Sequence, residues 1–179
     1  NKSGTSIFDP VLCECAYRWF CPPGGTVLDP FAGGSVRGIV AAILGRRYVG
    51  IDLRLEQVAA NEQQAVDILA QMPQPSYQKL VDNDAIKHGG IIGGPDAPRW
   101  IVGDSRNLDT LWPDEACDFV FTCPPYFDLE IYSDDPADLS NADDYQQFVA
   151  DYRSIVAAAV ARLRPDRFAA VVVGDIRDK

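Results

Sequence analysis

The chain has 179 residues, 47% of them hydrophobic, with 16 basic against 26 acidic side chains and a net charge of −10. That length and apolar fraction suit one domain with a full core, residues 1–179, and no apolar run is long enough to span a membrane. The acidic balance excludes a simple module for phosphate backbones; an enzyme acting on nucleic acid would need a local or separate basic surface.

No charged-then-apolar leader opens the sequence, so secretion is not expected. Asn1 in place of an initiator Met predicts a piece of a longer protein. Five cysteines, Cys13, Cys15, Cys21, Cys117 and Cys123, are an odd number in a chain that is not small, which argues for a reducing, cytoplasmic setting rather than a disulfide framework. Cys13, Cys15 and Cys21 are three thiols with no nearby His, one short of a structural zinc set, and read as core residues; no metal is expected.

Pro10 to Phe20 carries Val11, Leu12, Ala16, Tyr17 and Phe20, several at helical spacing, and predicts a helix that starts at its proline. Pro22-Pro23-Gly24-Gly25 turns into a first strand, Thr26-Val27-Leu28, whose short apolar run suits burial on both faces. Asp29-Pro30-Phe31-Ala32-Gly33-Gly34-Ser35 follows as a tight small-residue loop. Val36, Ile39, Val40, Ile43 and Leu44 then mark a helix, with Gly45 at its C-cap position. A second strand ends at Asp52, and Arg54 to Ala70 is a second amphipathic helix of this unit. Strand, glycine loop and helix N-terminus together make a nucleotide site, and an acid at the next strand end can accept from ribose hydroxyls.

Residues 72–99 break the pattern with four prolines and two Gly-Gly pairs. They read as a loop or small insertion that includes His88, the one histidine, which is given no catalytic role. Trp100 to Gly103 is a third strand closed by Asp104-Ser105, and Cys117 to Thr122 a fourth. Ser140 to Leu163 reads as a helix capped by Ser140, with Tyr145, Phe148, Val149, Tyr152, Val156, Ala159, Val160 and Leu163 facing inward and Pro165 just beyond it. Arg167 to Gly174 is the fifth strand. The alternation predicts an α/β fold, a mostly parallel sheet with helices on both faces. Asp29, Asp52, Asp104, Cys123 and Asp175 all fall at C-terminal strand ends, where such sheets bind ligands.

Thr122-Cys123-Pro124-Pro125-Tyr126 ends the fourth strand. Two prolines fix a rigid turn whose Cys123 and Pro124 carbonyls can face a cavity, and Tyr126 adds a flat ring. Carbonyl acceptors beside a stacking ring suit an aromatic amine.

With Val27-Leu28-Asp29-Pro30-Phe31-Ala32-Gly33-Gly34-Ser35, Gly45 to Asp52 and Cys123-Pro124-Pro125-Tyr126 in this order, the chain resembles the S-adenosylmethionine-dependent amino-methyltransferases of DNA. Cys123 to Glu130 looks most like the methylases of phages and their bacterial hosts, which places it in restriction-modification or phage biology. The resemblance implies a Rossmann-like class I methyltransferase fold and methyl transfer to the exocyclic nitrogen of adenine or cytosine, with the target base flipped from duplex DNA. It implies that Asp29, Pro30 and the Phe31-Ala32-Gly33 backbone hold the methionine part of S-adenosylmethionine, and that Asp52 with Leu53 takes the ribose. Asp104 and Ser105 would meet the cofactor's adenine, and Phe8 would cover it. Cys123, Pro124, Pro125 and Tyr126 would form the catalytic lip.

Two departures from the family matter. Most relatives place Asp, Asn or Ser at Cys123, and a thiol is a weak acceptor. The alternatives are carbon-5 methylation by a nucleophilic Cys123, a methylase of RNA or another amine, and a cofactor-binding subunit without catalysis. Acidic Asp134-Asp135 and Asp143-Asp144 read as a solvated loop and a helix start. The family's sheet also has two strands after the fifth, and a parallel strand seldom sits bare at an edge. The expectation is that the protein continues past Lys179 or that a partner covers this edge.

Overall fold

A computed structural model describes residues 7–71, 97–113, 116–127 and 131–174. Most of the 72–99 segment, with His88, and the strand-end acid Asp175 lie outside the described residues.

The order of elements is α1 (Pro10–Phe20), β1 (Thr26–Asp29), α2 (Val36–Ile43), β2 (Arg47–Asp52), α3 (Leu55–Leu69), β3 (Arg99–Val102), β4 (Cys117–Thr122), α4 (Tyr145–Val160) and β5 (Leu163–Val171). Short 3-10 turns at Ser105–Asn107 and Leu139–Asn141 and one helical turn at Leu108–Leu111 fill the connections. The five strands are all parallel in the order β3-β2-β1-β4-β5. Strand order reverses beside β1, so the loops leaving β1 and β4 open a crevice at their C-terminal ends.

The central strands are buried on both faces, and successive side chains divide between two cores. Val27, Tyr48, Phe119 and Phe121 pack with Cys13, Ala16 and Tyr17 of α1, Ile39 and Ala41 of α2, and Val58 and Ala65 of α3. Leu28, Val49, Ile51 and Val120 face the other way, onto Leu108, Trp112 and Ala159 of α4. A third cluster, Leu139, Phe148 and Ile155, gathers Phe31, Phe127 and Tyr152 at the rim. Asp118, at the opposite end of the sheet, accepts from the Thr26 amide at 2.9 Å and from Arg164 at 2.7 Å and Arg167 at 3.3 Å, so one carboxylate joins β1, β4 and β5. Burial works against its charge, yet these donors hold it below its ordinary value.

The first helix begins where its proline predicts. Asp9 caps it, accepting from the Val11 amide at 2.8 Å. Gly45, at φ 68°, takes the left-handed turn after α2. Several expectations are corrected. The long helix does not run from Ser140 to Leu163 but from Tyr145 to Val160, and Asp144 is its cap, accepting from the Gln147 amide at 2.8 Å. Ser140 instead donates to Asp138 at 2.8 Å within the 3-10 turn, which precedes the helix. Tyr145, 63% exposed, and Val160, 41% exposed, are therefore not inward residues.

The fifth strand starts at Leu163 rather than Arg167 and ends at Val171 rather than Gly174, with Pro165 inside it. Pro165 falls in the irregular stretch between the Leu163 and Phe168 pairings, where no partner in β4 needs its missing amide. Asp166, at φ 58°, takes up the resulting irregularity between Leu163 and Phe168. The third strand is shifted by one residue, to Arg99–Val102. Among the described residues, β5 borders one side of the sheet, with Phe168 exposed there and leaning on Phe20 at 5.1 Å between ring centroids.

Candidate active site

The crevice is built on Asp29, the last residue of β1, which is wholly buried. One carboxylate oxygen accepts from Thr122 Oγ1 at 2.6 Å and from the Phe31 amide at 3.2 Å. The other accepts from Arg37 Nε at 2.6 Å and from the Tyr48 hydroxyl at 2.7 Å. Arg37 sits on the inner side of α2, and its Nη2 also donates to the carbonyls of Phe31 at 2.6 Å and Ala32 at 2.9 Å. The ring of Phe8 lies over the guanidinium, 4.6 Å away, and meets Phe121 edge-on. Burial alone would lower the Arg37 pKa, but Asp29 beside it holds it above its ordinary value. Removing either partner would strand a buried charge, at about 3–5 kcal/mol. Asp29 thus organises the loop through its side chain while its own oxygens are occupied.

The glycine loop is pinned on both sides of Gly33. Its amide donates to Asp52 at 3.0 Å, and its carbonyl accepts from the fully buried Asn61 of α3 at 2.7 Å. Gly33 takes φ 49°, which glycine adopts without a side-chain clash. A Cβ at Gly33 or Gly34 would meet no atom within 4 Å, so open space lies over the loop. Asp52 closes β2 and accepts from the Arg54 amide at 2.9 Å and from Arg54 Nε at 3.4 Å. Burial raises its pKa above the usual carboxylate value. Leu53 is half-buried beside it.

Asp104 follows β3 by two residues, and Arg106 Nε donates to its oxygens at 2.8 and 3.1 Å. Ser105 is buried and donates to the Pro30 carbonyl at 2.6 Å, so it braces the first loop rather than facing the opening.

At the β4 end, Thr122 binds Asp29, and the next residues form the lip. Pro124 is buried; Cys123, Pro125 and Tyr126 are half-buried. Burial raises the Cys123 thiol pKa above its ordinary value, with the nearby Arg37 charge pulling the other way. The thiol is therefore neutral at pH 7, which suits a weak hydrogen-bonding group and not a thiolate nucleophile. The Tyr126 hydroxyl accepts from the Gly174 amide at 2.6 Å, tying the lip to the segment after β5. Alongside runs a row of near-parallel rings. Phe31 and Tyr152 lie 6.1 Å apart, Tyr152 and Phe148 6.2 Å, and Phe148 and Tyr145 6.0 Å, while Phe127 leans on the last two.

The structure brings Phe8, Asp29, Phe31, Gly33, Asp52, Leu53, Asp104 and the Cys123–Tyr126 lip to one end of the sheet. Sequence reasoning missed Arg37, Tyr48, Asn61 and Arg106. Arg37 carried a readable signal, as a lone charge among Val36, Ile39 and Val40 on an apolar helix. Tyr48 and Asn61 look like ordinary strand and helix residues, and only the fold gives them a partner.

Residues 13–63 match the family model of DNA methylases. Over most of its length the chain is similar to solved structures. TrmN from Thermus thermophilus is 20% identical with a TM-score of 0.60, over 94% of this chain and 39% of that one. The T. thermophilus 16S rRNA N2 G1207 methyltransferase RsmC, in complex with AdoMet and guanosine, is 19% identical with a TM-score of 0.54, over 95% and 35%. The glycopeptide N-methyltransferase MtfA, complexed with sinefungin, is 15% identical with a TM-score of 0.55, over 95% and 51%. The fold is the Rossmann-like class I methyltransferase fold, and the chain spans between a third and a half of the length of these three proteins. No helix among the described residues is long and apolar enough to cross a membrane.

Proposed function

We propose that this chain transfers a methyl group from S-adenosylmethionine to the exocyclic amine of adenine or cytosine in DNA. The observation that carries the reading is the 2.6 Å bond from Thr122 to Asp29. It locks the glycine loop and the Cys-Pro-Pro-Tyr lip together, so a donor over one lies beside an acceptor on the other. The match of residues 13–63 to DNA methylases supports the donor half of the site.

The residues present fit the donor. Open space lies over Gly33 and Gly34, and the Asp52 oxygen that accepts from the Gly33 amide alone keeps acceptor capacity for a ribose hydroxyl. One Asp104 oxygen accepts only from Arg106, leaving room for an adenine amino group. Phe8, braced on Arg37 and Phe121, would cover it, and Leu53 would line the ribose end. Ser105 acts through its bond to Pro30, and Asp29 through the backbone of Phe31. When bound, the donor supplies a sulfonium methyl, which is already activated.

The protein's main task is alignment of the amine in line with that methyl. The Cys123 and Pro124 carbonyls would each accept a hydrogen bond from its N–H groups, which would free the nitrogen lone pair from the ring and stabilise positive charge developing on it. Tyr126 stacks on the flipped base, its hydroxyl already held by the Gly174 amide. The neutral Cys123 thiol, which precedes the prolines, disfavours carbon-5 chemistry.

RNA is the second reading, since solved relatives of this fold include an rRNA N2 methyltransferase. Labelled S-adenosylmethionine incubated with duplex DNA, RNA or no acceptor tests both. Label in duplex DNA is expected. Label in RNA alone moves the assignment to RNA, and donor binding without transfer reduces the chain to a cofactor-binding subunit. Cys123→Asn should keep or raise transfer if that position serves as an acceptor.

A further inference from the structure

Arg106 lies in the short turn after β3, and its guanidinium reaches three separate segments. Nε donates to both oxygens of Asp104, Nη1 to Asp151 of α4 at 3.1 Å, and Nη2 to the Ala137 carbonyl at 3.2 Å. Asp104 is the acid assigned above to the donor's adenine. Ala137 belongs to the segment leading from the catalytic lip to α4, and Asp151 lies one residue before Tyr152, whose ring stacks on Phe31. The Arg106 side chain is 31% exposed, so each ion pair adds little stability. A planar fork with fixed donors instead sets the relative placement of its partners, which a lysine ammonium does not reproduce.

We infer that Arg106 is a positioning residue that couples the donor site to the acceptor side of the crevice. A donor adenine on Asp104 fixes that carboxylate. The carboxylate fixes the guanidinium, and the guanidinium holds Ala137 and Asp151 where the 131–144 segment borders the lip. Linkage makes the effect mutual: an ordered acceptor segment tightens the donor by the same factor. The inference rests on the donor site proposed above, while the matched family region ends at residue 63 and does not reach Arg106.

The test is amide hydrogen exchange of the intact chain with and without S-adenosylhomocysteine, the demethylated donor. In the unaltered protein the ligand should slow exchange at the glycine loop and also across 131–144. Arg106→Gln should abolish the slowing at 131–144, keep it at the glycine loop, and weaken the ligand by about fivefold or more, the lower range of typical couplings. A role for the positive charge alone predicts full rescue by Arg106→Lys; coupling through the fork predicts that 131–144 stays unprotected in that variant. Asp151→Asn should reduce the slowing at 131–144, and it decides the matter alone if the Arg106 variants do not fold. Slowing at 131–144 that survives in Arg106→Gln, or is undiminished in Asp151→Asn, overturns the coupling and leaves the donor site standing. Absence of ligand binding by the unaltered chain overturns the donor reading and the coupling with it.

Discussion

β1 and β4 are neighbours in the sheet, yet the loops that leave them are held in opposite ways. The glycine loop after β1 is fastened from inside the protein. Asp29, Arg37, Tyr48 and Asn61 are all buried, and every bond they make to it is internal. The lip after β4 has one comparable internal tie, Thr122 to Asp29, and beyond it rests on half-buried residues, one bond donated by the amide of exposed Gly174 to the Tyr126 hydroxyl, and a row of rings that ends at solvent. A donor that is the same in every turnover suits a site set rigidly in the core. The proposed acceptor, carried on a large polymer, would need an open approach.

The largest expected effect tests the rigid half. Arg37→Ala leaves Asp29 buried without its cation and should cost about 3–5 kcal/mol, read as a shift in the urea midpoint. A loss below about 1 kcal/mol would mean that the loop is not held by this pair, since surface pairs contribute no more than that.

Asp52→Asn comes next. Hydrogen bonds to a charged group are worth about 1.5–3 kcal/mol, so donor affinity measured by calorimetry should fall roughly 10- to 100-fold. The same residue gives a pH signature. Burial raises its pKa, so donor affinity should drop as pH falls through that raised value, at a higher pH than an ordinary carboxylate would show. Stability moves the other way. The folded chain holds this proton more tightly than the unfolded one, so the Asp52 contribution to folding is present at low pH. It is lost as pH rises through the window between the unfolded and the raised folded pKa. Asp52→Asn should remove both trends.

Much of this contrast was legible in the chain itself, for a physical reason. Strands buried on both faces and an amphipathic helix leave periodic marks, so β1, β4 and α1 were read to within a residue. Asp29, Asp52 and Asp104 were singled out because strand ends are where a parallel sheet places ligand groups, and the structure does gather them at one end of the sheet. The start of α4 was misread because Ser140 and Asp144 are equally good caps in isolation, and only the Asp138 carboxylate, which engages the Ser140 hydroxyl, decides between them. Pro165 looked like a helix stop because nothing local marks an edge strand. Arg37, Tyr48 and Arg106 act across 8 to 45 residues of chain, a range at which periodicity carries no information.

The lip should respond more mildly. Tyr126→Phe removes the bond to Gly174 but keeps the ring, so about 1 kcal/mol of stability is expected to go, by thermal melting, with methyl transfer retained. Tyr126→Ala also removes the stacking face and should weaken the acceptor by about 1–3 kcal/mol, visible in KM for the nucleic acid. Equal effects of the two substitutions would refute a stacking role. The smallest effect concerns Cys123 itself. With its pKa raised, its alkylation by iodoacetamide, mapped by mass spectrometry, should lag behind that of a free thiol at pH 8 and catch up only at higher pH.

Asp118 has a consequence for how the protein is made. It grips the Thr26 amide across 92 residues of sequence, on a strand that flanks β1 directly. A ribosome adding about 5–20 residues per second leaves that side of β1 uncovered for roughly 5–20 s before β4 emerges. One side of the central strand of the finished sheet thus stays open to mispairing for that interval.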